Sequence, residues 1–288
     1  MLYSILEANG GIPNNAVVTF QNTGREMPQT LDFVNECADR WNCPITWLER
    51  PPRKHLTNAQ LDLVARHLGH AYANRLESWW QVSQAGFQSV SHNSAARSGE
   101  PLLALILARK YLPNQQARFC TVECKVRVAK AFLRSLGWDY WTNCVGLRAD
   151  EPRRLKPEGV KLNGDRWSVW QPLANAKIGK HDVAAFWEKQ PFDLALPNIK
   201  GNCWLGNCDG CFLKSEANLA AFSRDYPDRH LWWEGLEAIA TELTSGSAAH
   251  WSKRYSRSEL RKFMERQGDW ALSTEGALCQ ADDGECMA

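Results

Sequence analysis

Apolar positions recur along the chain with two periods, and their alternation predicts an α/β protein. Leu2, Ile5 and Leu6 share a helical face closed by Asn9-Gly10-Gly11, so residues 2–9 read as the end of a helix. Residues 16–21, AVVTFQ, are β-branched and apolar between turn residues, which fits a buried strand of a parallel sheet. Pro28 then opens a helix through Trp41 with Leu31, Val34 and Ala38 on one face, and Pro44 introduces a short strand at 45–48. That order is a βαβ unit, whose ligands sit at the carboxyl ends of the strands, here residues 22–26. Helical spacing returns at 57–67 and again into Trp79-Trp80, residues 87–91 fit a strand, and Pro101 starts an apolar core helix, LLALILARKYL. Residues 125–136 read as a helix ended by Gly137, and 141–147 as another buried strand that delivers Arg148 to Arg154 to its carboxyl end. Helices are expected at 180–189, 216–222, 231–243 and 256–266, the last as a basic surface helix.

A length of 288 residues supports one large α/β domain with an appended subdomain. The division expected is 1–175 for the α/β part and 176–288 for a mainly helical part bearing a cysteine cluster. The amino-terminal stretch lacks a basic leader and cleavage pattern, and no run approaches 18 apolar residues, so a soluble cytoplasmic protein without membrane contact is expected. The 10 cysteines then read as thiols or ligands instead of bridges. A net charge of +2 announces no general affinity for nucleic acid, but basic residues gather at Lys125–Arg134, Arg148–Lys156 and Lys253–Arg266. The 14 tryptophans are assigned to packing, with base stacking open to one of them, and no histidine pair has ligand spacing.

The densest chemistry lies in residues 201–214, GNCWLGNCDGCFLK. Cys203, Cys208 and Cys211 follow the pattern C-x4-C-x2-C, and a C-x2-C pair turns two sulfurs toward one metal while Gly206 and Gly210 let the chain fold round it. Cys120, in RFCTVECKVR, is the best candidate for a fourth ligand, with Cys124 and Cys144 behind it. Four thiolates suit an iron–sulfur cluster or zinc, and sequence does not choose between them. A redox-sensitive pair of buried thiols is the plainer alternative.

Several segments occur in an order that resembles one family. FQNTGREMPQTLDFV is similar to the second nucleotide-contacting motif of the phosphoadenosine phosphosulfate (PAPS) reductase family, in the PP-loop ATP pyrophosphatase superfamily. GLRADEPRR resembles that family's Gly-x-Arg-x-x-Glu-Ser-x-Arg stretch, and PLANAKIGKHDVAAFW its Pro-Leu…Asp-Val-x-x-Phe/Tyr segment. The cysteine loop and RFCTVECKVR are similar to the iron–sulfur branches, including phage-type reductase-like proteins and DNA phosphorothioation enzymes. The resemblance covers nearly the whole chain and implies an adenine nucleotide alpha hydrolase-like parallel sheet.

By that resemblance Asn22, Thr23, Gly24 and Glu26 line an adenine-nucleotide pocket, Gly146, Arg148 and Arg154 bind phosphate or phosphosulfate, and Glu151 orients an arginine. It also implies a 4Fe-4S cluster on Cys120, Cys203, Cys208 and Cys211, with zinc as the alternative. ATP or PAPS is the expected nucleotide, and a thiol reductant protein or a nucleic acid the expected partner. The activity implied is that of a sulfonucleotide reductase-like oxidoreductase, or an ATP-dependent sulfurtransferase that thiolates nucleic acid. Two departures limit the likeness. The family's Ser-Gly-Gly phosphate loop is absent, so weak ATP or PAPS binding and an internal start or a degenerate copy are expected. Glu285-Cys286 resembles the Glu-Cys-Gly-x-His motif of the catalytic cysteine, but Gly and His do not follow. A truncated, non-catalytic cluster-bearing protein is the reading from a different class.

Overall fold

The expected βαβ unit forms. β1 (Val18–Gln21) and β2 (Ile45–Glu49) pair in parallel, from Val18 against Ile45 to Gln21 against Leu48, with α2 (Pro28–Arg40) as the crossover after α1 (Leu2–Asn9). Pro28 occupies the first turn of α2, where its missing amide hydrogen costs nothing. This computed structural model describes residues 1–155, 166–199 and 202–267. Within them β3 (Gln88–Val90) joins β2 antiparallel, giving the order β1-β2-β3 with β1 at an edge.

Helices cover this sheet because their apolar stripes need somewhere to go. A capping box at Thr57 and Gln60 starts α3 (Asn58–Leu68), and α4 (His70–Trp79) follows directly. α5 (Glu100–Arg109) is apolar on every side, and every residue from Glu100 to Leu107 is buried. Its Leu103 and Ile106 share one core with Leu63 and Val64 of α3, Leu76 of α4, and Trp232, Trp233 and Leu236 of α11 (Pro227–Leu243). Gly235 permits the crossing of α11 over α3, since a Cβ there would lie 2.4 Å from Leu68 Cδ2 and 2.8 Å from the His67 carbonyl oxygen. The same core takes Trp204, Leu205, Phe212 and Leu213 from the cysteine loop, so it runs across the division expected at 175/176.

Three segments differ from expectation. The helix expected from residue 125 is preceded by a short turn, α6 (Phe119–Thr121), and a π-helical turn, Val122–Val126, before α7 (Arg127–Ser135). The strand expected at 141–147 ends as β4 (Trp141–Cys144), alternates half-buried and exposed positions, and pairs in parallel with β5 (Trp167–Trp170) in a sheet of its own. Its only described ladder is β5, so the carboxyl end of β4 does not share a sheet with that of β1. The strip is followed by α8 (Pro172–Asn175) and α9 (Lys180–Glu188), whose Phe186 and Trp187 join Tyr3, Phe33, Trp41 and Phe192 in an aromatic cluster that ties α9 to α1 and α2. β6 (Asn198–Ile199) and β7 (Asn202–Cys203) form a small antiparallel pair leading into the cysteine loop.

The remaining helices are α10 (Glu216–Asp225), capped by the Ser215 side chain, and α12 (Arg257–Gln267). α12 is not simply a basic surface helix: Arg257, Leu260 and Met264 are buried. No helix among the described residues is long and apolar enough to cross a membrane.

His230 of α11 is fully buried, and its Nε2 lies 2.9 Å from the Arg257 carbonyl, an acceptor that fixes Nε2 as the protonated nitrogen. Nδ1 has no partner, and burial pushes the pKa of the ring down to about 4. The folded state therefore binds the neutral ring, whereas the unfolded chain takes up a proton near pH 6.5. Stability should be full above that pH and fall as the pH drops from about 6.5 to about 4, by an order of 3 kcal/mol from this ring. Urea unfolding at stepped pH reads the slope, and His230→Gln, which keeps a donor for the Arg257 carbonyl, should flatten it; an unchanged slope would contradict the assignment.

Candidate functional site

The carboxyl end of β1 runs into Asn22-Thr23-Gly24-Arg25-Glu26, and the side chains of Asn22, Thr23, Arg25 and Glu26 are all buried. Asn22 Nδ2 donates to Glu49 Oε1 at 2.6 Å and to the Ala96 carbonyl at 2.8 Å, while its Oδ1 accepts from the Gly24 amide at 3.0 Å. Both of its donors are thus used within the protein. The Thr23 amide and hydroxyl both donate to the Glu26 carboxylate, at 3.0 and 2.8 Å. Gly24 has φ +78°, and a Cβ there would come within 2.9 Å of the Gly99 nitrogen, so glycine is needed for the approach of two loops.

This turn grips the cysteine loop. Glu26 and Cys208 form an antiparallel bridge, Thr23 Oγ1 lies 3.2 Å from Cys208 Sγ, and the Asp209 amide donates to the Arg25 carbonyl at 2.9 Å. Asp209 is completely buried. It accepts from Arg25 Nη2 at 2.8 Å, from Trp233 Nε1 at 2.8 Å, from the Gly210 amide at 2.7 Å, and from Arg229 Nε. Arg229 also donates to the Glu26 carbonyl, and the Arg25 guanidinium lies 4.4 Å over the Trp232 ring. Sequence reasoning read residues 22–26 as a ligand wall and missed Arg25 and Asp209 as the pair that docks the loop.

Cys120, Cys203, Cys208 and Cys211 are half-buried cysteines packed against one and the same core. Cys120 lies within electrostatic reach of both Cys208 and Cys124. Burial pushes the thiols of Cys208, Cys203 and Cys124 up, each opposed by a basic group: Lys125 at Cys208, Lys214 at Cys203 and Arg50 at Cys124. Arg257 lies within electrostatic reach of Cys211. Lys214 Nζ also closes the loop by donating to the Trp204 and Gly206 carbonyls at 2.6 and 2.8 Å. Among the described residues no three Cys, His, Asp or Glu side chains form a group arranged to hold a metal ion. In kind, four cysteine sulfurs with buried cations beside them are the donors that a thiolate-bound centre would use, and Arg25 Nε and Arg257 Nη1 are buried without a partner.

The other expected residues lie elsewhere. Arg148 pairs with Asp150 at 2.9 Å, Arg154 pairs with Glu151, and the Ala149 amide donates to the Ile178 carbonyl, so this turn is anchored to the start of α9. Arg154 Nε is buried without a partner. Gly146 lies beside Met1. Among the described hydrogen bonds and ion pairs none joins this turn to residues 22–26. Lys156 and Cys286 fall outside the described residues.

A cavity of about 590 Å³ opens where Ala96 meets Asn22 and Glu49, walled by Arg75, Trp79, Ser94, Arg97 and Ser98. These residues were not singled out in the sequence. A signal was present in SHNSAARSG, a run of small polar residues with an arginine between a strand and a buried helix, which is the composition of an anion-cradling loop.

Comparison finds relatives among bacteriophages. The chain is 27% identical over 246 residues to the nin region protein ORF290 of Escherichia phage lambda, covering 84% of this chain and 69% of that protein. It is 23% identical over 302 aligned residues to a 37.8 kDa protein from the gpa 5′ region of Escherichia phage 186, covering 94% and 84%. Both relatives are named for their place in the phage genome, and both are described as uncharacterized. No protein-family model and no solved structure matches the chain.

Asp209→Asn tests the docking. It leaves two guanidiniums facing a neutral amide in a buried place, and breaking such a pair costs about 3–5 kcal/mol. The expected result in urea unfolding is a loss of that order together with faster alkylation of Cys208. Wild-type stability and wild-type alkylation in D209N would remove Asp209 from this role.

Proposed function

We propose that the protein is an enzyme of sulfur chemistry similar to the PAPS reductases, using an adenine nucleotide and a thiolate-bound centre on Cys120, Cys203, Cys208 and Cys211. The observation that carries this reading is the direct bonding of the turn after β1 to the cysteine loop, through Thr23 with Cys208 and Arg25 with Asp209. Nucleotide-dependent sulfur chemistry needs ligand-binding strand ends and sulfur side by side, and ligands of open α/β sheets lie at those ends. An iron–sulfur cluster would supply one-electron transfer there, whereas zinc would brace the loop.

The nucleotide is assigned to the cavity beside Ala96, whose volume falls in the range of small-molecule sites. Arg75, whose Nη1 donates to Ser98 Oγ at 3.1 Å, offers its remaining nitrogens to phosphate, and Arg97, held by the His92 carbonyl at 3.0 Å, adds a second positive charge. Asn22 supports this wall through Ala96 and does not itself face the ligand. Arg148 and Arg154, in a turn with no described bond to residues 22–26, do not line this cavity and have no part in the reading.

A second reading is favoured by one specific observation. Asn22, Thr23 and Glu26 spend their hydrogen bonds on each other, on Glu49 and on the cysteine loop, which suits a cluster-bearing scaffold that binds a partner without catalysis. Anaerobic purification with iron, sulfide and zinc analysis, followed by calorimetric titration with ATP and PAPS, separates the two. The enzyme reading expects metal in the wild type, several-fold less in Cys208→Ser, and nucleotide affinity weakened about tenfold by Arg75→Gln. Metal without binding of either nucleotide supports the scaffold, and folded protein free of iron and zinc sinks both.

A further inference from the structure

Away from the strand ends, the end of α5 and the π-helical turn border a second, open cavity, of about 370 Å³, lined by residues that include Arg109, Gln116, Arg118, Phe119, Glu123 and Arg127. Its chemistry is organised by one buried carboxylate. Glu123 takes Arg127 Nη1 at 2.7 Å and Arg109 Nη2, with Arg50 Nε at 3.8 Å. Three guanidiniums therefore share a single carboxylate, which leaves two positive charges in excess, and Arg53 lies close enough to Arg50 to add to the field. The Glu123 side chain is 6% exposed, but those of Arg109 and Arg127 are 41% and 55% exposed. Each guanidinium is thus bonded to a buried carboxylate while its side chain stays partly open to water.

Aromatic surface flanks the charge. Tyr111 is 40% exposed and packs edge-on against Phe119, with ring centroids 4.8 Å apart, and the Arg109 guanidinium lies 5.6 Å over the Phe119 ring. Fixed arginines match phosphate oxygens, and an exposed aromatic ring beside them offers a face to an unpaired base.

We propose that this cavity binds the phosphodiester backbone of a single-stranded nucleic acid, with Arg109 and Arg127 on phosphate and Tyr111 against a base. Several arginines along one cavity mouth, rather than one enclosed anion hole, suit a chain of phosphates. Cys120 and Cys124 stand next to Phe119 and Glu123 in sequence, so a strand held here passes beside a segment within electrostatic reach of the cysteine loop. The proposal does not depend on a metal centre or on nucleotide binding at the other cavity.

Fluorescence anisotropy with a labelled single-stranded oligodeoxynucleotide of mixed sequence, titrated at several salt concentrations, tests it on the full chain. The wild type should bind with strong salt dependence and more tightly than it binds the matching duplex. Arg109→Gln/Arg127→Gln should weaken binding by about tenfold or more and flatten the salt slope by about 1 to 2. Lys262→Gln/Arg266→Gln, on the basic face of α12, should bind as the wild type does. Metal content of the Arg109/Arg127 variant should equal that of the wild type, which separates this site from the cysteine reading. Should the double variant not fold, Arg127→Gln alone, at an exposed helix position, carries the same comparison with a smaller expected loss. Three results overturn the proposal: no binding of the strand by the wild type, undiminished binding by the arginine variants, or displacement of the strand by inorganic phosphate at equal concentration, which marks a small-anion site only.

Discussion

Asp209 is the constraint on which the arrangement of this molecule depends. A carboxylate with no access to water is tolerated only when its oxygens are fully engaged, and here they collect a guanidinium from Arg25, another from Arg229, the Trp233 ring nitrogen and the Gly210 amide. Those donors come from the turn after β1, from α11 and from the cysteine loop itself. Satisfying one group thereby fixes three parts of the chain against each other. The net stabilisation of such a cluster is modest, because desolvating the charges offsets most of their attraction, so its main effect is to specify position.

The same device recurs at two other places. Glu49 is raised by burial, opposed by hydrogen bonds from Trp79, the Ala96 amide, Asn22 and Gln88, which secure the loop before α5 to the end of β2. Glu237 accepts from the amides of Trp251 at 2.9 Å and Arg257 at 2.7 Å, which fixes the approach to α12 and sets Arg257 against the Gly210 carbonyl. Loops with little regular structure are held as firmly as helices when a buried acceptor counts their amides. This explains how residues 203–214 keep a defined place with only a two-residue strand among them.

Periodicity and punctuation made the elements legible. The helix at Pro28, the core helix after Pro101 and the βαβ order follow from local signals, and each forms within a few residues of its expected bounds. What local signals cannot carry is partner choice. The strand after Tyr140 looked like a sheet member, but its partner is Trp167–Trp170, and nothing in WTNC announces that pairing. Long-range charge pairing is illegible for a related reason: Arg25 and Asp209 lie 184 positions apart, and either alone has the composition of a surface residue. Arg257 was counted with a basic helix face, yet it turns inward to a carbonyl and a buried carboxylate.

Buried cations bear on the state of the cysteines. Lys125, Lys214 and Arg257 are each less than a tenth exposed, and each acts on, or is acted on by, a different cysteine of the loop. Burial favours the neutral thiol at Cys203 and Cys208 and pushes the Arg257 guanidinium down. Binding of a metal would replace the thiol protons with a shared positive ion, and four thiolates would still leave a negative centre around it. Basic groups beside it would then lower its cost, and Lys214 is held in the loop by the Trp204 and Gly206 carbonyls. In the proposed reading these cations would stand beside an anionic sulfur site, whereas burial by itself holds Cys203 and Cys208 toward the neutral thiol.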